Sequence, residues 1–440
     1  MLKKIKNNKL LFIGIHILIG FLVTLPGFPK LYGFTCVIVT LYILFNSKNE
    51  NEEAMILSSY IVGFEVFARM TKGFVFYETG KYLVMLLLIG GILIGRFKQQ
   101  FSPQYIFYIL LLLLGIVFTQ VPEGQSLRKS IVFNLSGPIL LGVSAIYFYK
   151  RIVNKKHIID ALFLMLLPIV SMITFLFFRT PDLKEIIFNG AANFDTSAGF
   201  GPNQVATAIG IGIFIITIFI LMKEKVSGYI LLDALFLFYF IYRGLLTFSR
   251  GGIVTGAAAI VSFAFFYFMY NKGNLQAFFK YLSISIIFII SIWVYTSDAT
   301  GGMLNNRYTG KNAKGVQKKD ITSGRIDILA KQIESFLDAP LGIGVGNGKY
   351  KRQSEVKHVT AVSHNEVGRL IEEHGVLGLG LLIGLLIIPI FNIWNANNYQ
   401  RAFITAFYLF WLLTINHSAM RIAFPGFIYA LSLIRIVDHE

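Results

Sequence analysis

The chain has 440 residues, of which 55% are apolar and 14% charged, with a mean hydropathy of +0.66. That is too apolar for a soluble protein, and the apolar residues fall in runs long enough to cross a bilayer, so the chain reads as a polytopic membrane protein. The formal net charge of +17 does not point to nucleic acid, since Lys and Arg of membrane proteins collect in cytoplasmic loops and beside lipid phosphates, and the single cysteine, Cys36, excludes an internal disulfide or a cysteine-rich metal site.

The first apolar run follows Lys3, Lys4, Lys6 and Lys9 and lacks a small-residue cleavage site, so it reads as an anchor. Apolar runs predict membrane helices near 10–25, 31–45, 54–69, 79–95, 104–119, 131–149, 158–178, 203–222, 228–247, 252–270, 281–296, 374–394, 401–416 and 422–436. The fold class is therefore all-α, a single membrane domain over residues 1–440 with about 12–14 transmembrane helices, the lower number applying if some runs are re-entrant. Alternate loops hold most of the basic residues, Lys48, Lys150, Arg151, Lys223 and Arg401 among them. That bias predicts both termini in the cytoplasm and places one large loop, 297–365, on the outer side. A second outer loop near 179–202 carries Asn193 and Asp195, with Asn203 at its end.

Glu65 and Arg69, four apart on one early helix, predict a structural ion pair. The first outer loop, Pro26 to Lys30, has no acidic residue, the chain has no Asp-X-Asp, and the histidines show no metal-ligand spacing; His358, six before His364, is weak for a metal. We therefore expect metal-independent chemistry and no cofactor. Arg243 and Arg250 are seven apart, two helical turns, near the outer end of an apolar run. Guanidinium binds phosphate bidentately and stays charged, so the pair reads as a diphosphate clamp; the plainer reading is snorkelling to lipid headgroups or an ion pair.

Within the large loop, Ile326, Leu329, Ile333 and Leu337 predict an amphipathic helix near 323–338, capped by Thr322 or Ser323, stopped by Pro340, and carrying Arg325 at its start as a further phosphate ligand or a solvated arginine. Gly342, Gly344, Gly346 and Gly348 follow. They read either as a turn returning the chain to the bilayer or as a loop offering amides to phosphate. The stretch from Ser363 to Gly378 then opens a membrane helix. Ser363 and Glu366 have capping-box spacing, which predicts His364 in the first turn, kept neutral by the helix dipole and able to act as a general base or as a structural histidine. Arg369 lies one turn in. Glu372 could orient His364, bind a sugar hydroxyl or pair with Arg369. Gly368, Gly375 and Gly378 fall roughly on one stripe and predict close helix packing.

His364-Asn365, then nine residues, Gly375, two residues and Gly378 resembles the motif of bacterial O-antigen ligases. Ser-Arg-Gly-Gly at 249–252, Gly-Pro-Asn-Gln at 201–204, and Ser-Gly-Arg followed by Pro-Leu-Gly-Ile-Gly are also similar to this superfamily, which includes O-antigen polymerases. The likeness covers mainly residues 190–390. It implies a GT-C-like fold in the bacterial inner membrane, with a large periplasmic loop over the active site. It implies transfer of a glycan from undecaprenyl diphosphate to a lipid A–core hydroxyl without metal, or, in a polymerase, to a lipid-linked repeat. His364 matches the family's candidate base, Arg250 its central arginine and Arg325 a loop arginine. Arg243, Glu372, Arg369 and Asn365 complete the candidate substrate-binding set. A reading from another class is a transporter of lipid-linked glycan; no repeated halves are detected.

Overall fold

A bilayer core offers no water to backbone N–H and C=O groups, so runs of Leu, Ile, Val and Phe must satisfy them by coiling. The computed structural model describes residues 8–96, 100–188, 191–271, 275–318, 320, 324–355 and 363–437. The chain forms α1 (Lys9–Leu22), α2 (Phe28–Ser47), α3 (Glu53–Met70), α4 (Thr79–Ile94), α5 (Pro103–Leu114) and α6 (Leu127–Phe148). A short strand, β1 (Ile152–Asn154), precedes α7 (Lys155–Arg179), α8 (Pro202–Leu221), α9 (Ile230–Leu246), α10 (Arg250–Tyr270) and α11 (Leu275–Ala299). The polar segment that follows holds α12 (Met303–Tyr308), α13 (Arg325–Asp338) and α14 (Asn347–Glu355). The chain then returns as α15 (Glu366–Trp394), α16 (Asn398–Ile415) and α17 (Ala423–Leu431), and β2 (Arg435–Val437) pairs in parallel with β1.

Each of the fourteen apolar runs contains a helix, but the last, expected over 422–436, is helical only from Ala423 to Leu431 and ends in β2. Among the described residues seven of these helices, α2, α6, α7, α8, α10, α11 and α15, are long and apolar enough to cross a membrane. The molecule is an all-α polytopic membrane protein. The caps expected at Thr322 and Ser323, and His358, lie outside the described residues; α13 follows Gly324, whose φ of +75° no ordinary helix residue adopts.

Burial separates centre from periphery. In α7, 83% of the spanning window is buried, against 11% in α11, so α7 is a core helix and α11 turns most of its surface outward. Charge inside this core is paired. The expected Arg69–Glu65 pair forms at 2.6 Å, but it is not self-contained. Glu78 also meets Arg69, at 3.2 Å, and Lys81, at 2.5 Å. Arg69 Nη1 donates to the Arg421 carbonyl (2.9 Å), and Glu65 accepts from the Ala423 amide (2.5 Å). Desolvated charges need such saturation, and here it ties the turn after α16 to the third and fourth helices.

Candidate active site

Three glycines bring the site together. A Cβ on Gly252 would strike the backbone of Ala206 and Thr207, one on Gly210 the carbonyl of Gly252, and one on Gly256 the carbonyl of Gly210. Helices α8 and α10 therefore cross almost backbone to backbone, which sets their N-termini side by side. Ser249 Oγ donates to Asn203 Oδ1 across that crossing (2.7 Å). Gly251 leaves room for the His417 ring, which a Cβ there would meet. Phe248, just before the motif, has a φ of +55°, a conformation costly for an aromatic residue, and its carbonyl accepts from Arg307 Nε (3.0 Å).

These elements enclose a cavity of about 350 Å³ lined by Asn203, Arg250, Arg307, Arg325, Asn365 and His417, among others. Among the described lining residues three are arginines and none is a carboxylate. Lys318 adds a further positive charge close to Arg250 and Arg307. Burial and the Arg250 charge both press the Arg307 and Arg325 guanidinium groups toward lower pKa, the mark of like charges gathered in one place. A concave site of this sign suits a multiply charged anion.

His364 adjoins the cavity through Asn365. It is half-buried, and its pKa is lowered from 6.5 to about 4, first by burial and then by Arg421, Arg325 and His417. The imidazole is therefore neutral at ordinary pH. The cause is not the one expected from sequence. Asn365 is the N-cap: its Oδ1 accepts from the amides of Val367 (2.9 Å) and Gly368 (3.3 Å). Ser363 spends its hydroxyl on the Asn365 backbone, and Glu366 turns to Arg369, so the Ser363 capping box does not form and His364 sits just before the helix.

The remaining candidates fall away from the cavity. Arg243 Nη2 donates to the carbonyls of Leu176 (3.3 Å) and Thr196 (3.1 Å) and to Thr180 Oγ1 (2.6 Å), so it locks the 193–197 turn onto α7 instead of facing a ligand. Arg369 is buried between Glu366 and Glu373, the latter at 2.5 Å. Glu372 is taken by Arg352 Nη1 (2.5 Å) and Gln332 Nε2 (3.1 Å), not by His364 or Arg369. These pairs staple α13 and α14 onto α15. The glycine-rich segment is a strap: the amides of Ile343 and Gly344 go to the carbonyls of Glu372 and Glu373 (both 3.1 Å), which removes them from any phosphate-binding role. The expected glycine stripe is interrupted, because Gly375 (φ 60°, ψ −139°) breaks α15 and the Val376 amide bonds the Pro340 carbonyl at 2.8 Å.

Sequence reasoning did not select Arg307, Lys318 or His417, and placed Arg421 only at a helix end. Arg307 sits in the short helix α12 and Lys318 in the segment after it, where no periodic signal marks either. The His417 ring lines the cavity, with Nδ1 bonded to the Leu413 carbonyl (2.9 Å) and Nε2 3.3 Å from Thr207 Oγ1. Arg421 donates to the Ser363 carbonyl and stacks 5.1 Å from the Phe133 ring centroid. Among the described residues no three His, Cys, Asp or Glu side chains form a candidate metal-ligand group.

Fold and site together define a polytopic membrane protein with a cationic cavity beside a neutral histidine. Residues 234–383 match the family model described as O-antigen ligase, a stretch that contains Arg250, Arg307, Arg325 and His364. The match supports the O-antigen ligase superfamily, a glycosyltransferase-like activity and lipid-linked glycan substrates in general. Neither a curated protein nor a solved structure matches the chain.

Proposed function

We propose that the protein is an O-antigen ligase-type glycosyltransferase of the bacterial inner membrane, working at its periplasmic face. The donor is a glycan on undecaprenyl diphosphate, and the acceptor is a hydroxyl of lipid A–core. The observation that carries this reading is the neutral His364 set against a cavity lined by Arg250, Arg307 and Arg325. The arginines hold the diphosphate. The acceptor oxygen attacks the anomeric carbon, the bond from that carbon to the diphosphate oxygen breaks, and its electron pair leaves with the diphosphate. His364 takes the hydroxyl proton, and one displacement inverts the carbon. Charge builds on the leaving diphosphate, where fixed guanidinium groups stabilise it most. Asn365 holds His364 at the cavity edge. We place Arg243, Arg369 and Glu372 in the supporting structure, since Arg243 Nη2 and the Arg369 and Glu372 charges are engaged inside the protein.

Purified protein in detergent, given both substrates, is expected to transfer glycan in the presence of a chelator. His364→Ala, Arg250→Ala and Arg307→Ala should each lower kcat by about 10²–10³-fold. Near-normal transfer by a variant removes its residue from the mechanism, and a chelator-sensitive wild type would overturn the metal-free chemistry. Turnover in detergent also excludes a transport-only role. In a deletion strain, polymer accumulating on undecaprenyl diphosphate above bare lipid A–core marks a ligase. A single repeat on the core with no ladder marks a polymerase, which uses the same cavity with a lipid-linked acceptor.

A further inference from the structure

A second pair of cavities lies at the other end of α15. One, of about 710 Å³, is lined by the polar side chains of Lys150, Arg435, Asn392, Asn395, Gln400 and Gln104 together with apolar ones. The next, of about 410 Å³, is a mainly apolar groove between α5 and α15, lined among others by Phe107, Tyr108, Leu111, Leu377, Gly380 and Gly384. The two share Gln104 and Ile388 and so run into each other. Asn392 here lies 27 residues beyond Asn365, on the far side of the Gly375 break, and the arginine-lined cavity shares no lining residue with this pair. This is a separate site.

Its polar end is built. The β1–β2 pair sets Arg435 opposite Ile152; the Arg435 amide bonds the Arg151 carbonyl (2.8 Å) and the Lys150 amide bonds the Leu433 carbonyl (2.9 Å). Two cations are thereby held at one rim. Asn392 and Gln400 spend their amide protons on the Ile434 carbonyl at 3.2 and 3.1 Å, which fixes both carboxamides in the wall. Farther in, Tyr108 forms part of the groove wall and is 2% exposed. It lies one helical turn, about 6 Å, beyond Gln104. Nothing lies within 4 Å of where a Cβ on Gly380 or Gly384 would sit, so the groove floor is open.

We propose that these joined cavities bind one anionic glycerophospholipid. Its phosphate lies between Lys150 and Arg435, and an acyl chain fills the groove between α5 and α15. A cationic rim opening onto an apolar channel follows the order of groups along such a lipid. The site does not depend on the transfer chemistry.

The test is native mass spectrometry of the full chain, purified in detergent and titrated with equimolar phosphatidylglycerol and phosphatidylcholine. Wild type should retain one phosphatidylglycerol in preference to phosphatidylcholine. The Lys150→Ala/Arg435→Ala double variant should lose about 10- to 30-fold in retention. Gly384→Leu, whose side chain enters open space, should block the groove. Equal retention of the two lipids by wild type, or unchanged phosphatidylglycerol retention in the variants, overturns the proposal. So does preferential loss of added undecaprenyl phosphate, which would assign the groove to the donor. The wild-type lipid preference and Gly384→Leu decide the matter even if the double variant fails to fold.

Discussion

A half-buried histidine beside arginines is kept neutral by its surroundings. The neutral form of His364 persists down to about pH 4, because burial and then Arg421, Arg325 and His417 oppose a further positive charge. Free-enzyme activity, read as kcat/KM, should therefore stay level from pH 7 to about pH 5 and fall only near pH 4. Bound diphosphate offsets the arginine field while burial remains, so the acid limb of kcat should lie above that of kcat/KM. Coincident limbs near 6.5 in both profiles would mean that His364 is not the titrating base. Stability follows the same sign. His364 and His417 are both lowered to about 4 and titrate near 6.5 when unfolded, so folding stability falls as pH drops from 6.5 toward 4. At this scale Arg250, Arg325 and His364 could be picked out from residue type and motif. Arg243 could not be judged, because an arginine near a helix end looks the same in sequence whether it meets lipid, ligand or the carbonyls of Leu176 and Thr196.

Among elements, α15 does two jobs along its length. Its first turns carry a buried carboxylate–guanidinium ladder that fastens α13 and α14, and its remainder lies in the bilayer. Gly375 separates the two, and only glycine accepts its dihedrals while the Pro340–Gly342 strap presses on it. Gly375→Ala should cost about 1–3 kcal/mol or more, and Glu372→Ala, which leaves Arg352 buried without its carboxylate, about 3–5 kcal/mol. Denaturant unfolding in detergent measures both. Hydrogen exchange should then show the loss concentrated in residues 325–355; uniform deprotection across the molecule would contradict the staple. The motif spacing marked this helix start, but the kink was not visible, because Gly375 within an apolar run reads equally as a packing residue.

Across the whole molecule, the site is assembled from distant parts of the chain. The cavity draws on residues from Asn203 to His417, and the turn carrying His417 and Arg421 is held by Glu65 and Arg69 in the third helix. Glu65→Gln should lower the melting temperature and also kcat, although Glu65 does not line the cavity. A drop in melting temperature with kcat unchanged would show that the anchor supports the fold alone. Hydropathy could place α3 and predict the Glu65–Arg69 pair. It could not reveal that the pair reaches across to Ala423 and Arg421, more than 350 positions away.

What the sequence determined by itself was the solvent, the secondary structure and the chemistry available. Bilayer-length apolar runs have to be helices, and Arg250, Arg325 and His364 are the residue types that hold a phosphate and accept a proton. Tertiary structure decided which of several equivalent polar residues face a common space. Arg307 and His417 enter the cavity while Arg369 and Glu372 are used up inside the protein. The physical reason is that a buried charge must find a partner, and that partner is fixed by three-dimensional packing that spacing along one helix does not encode.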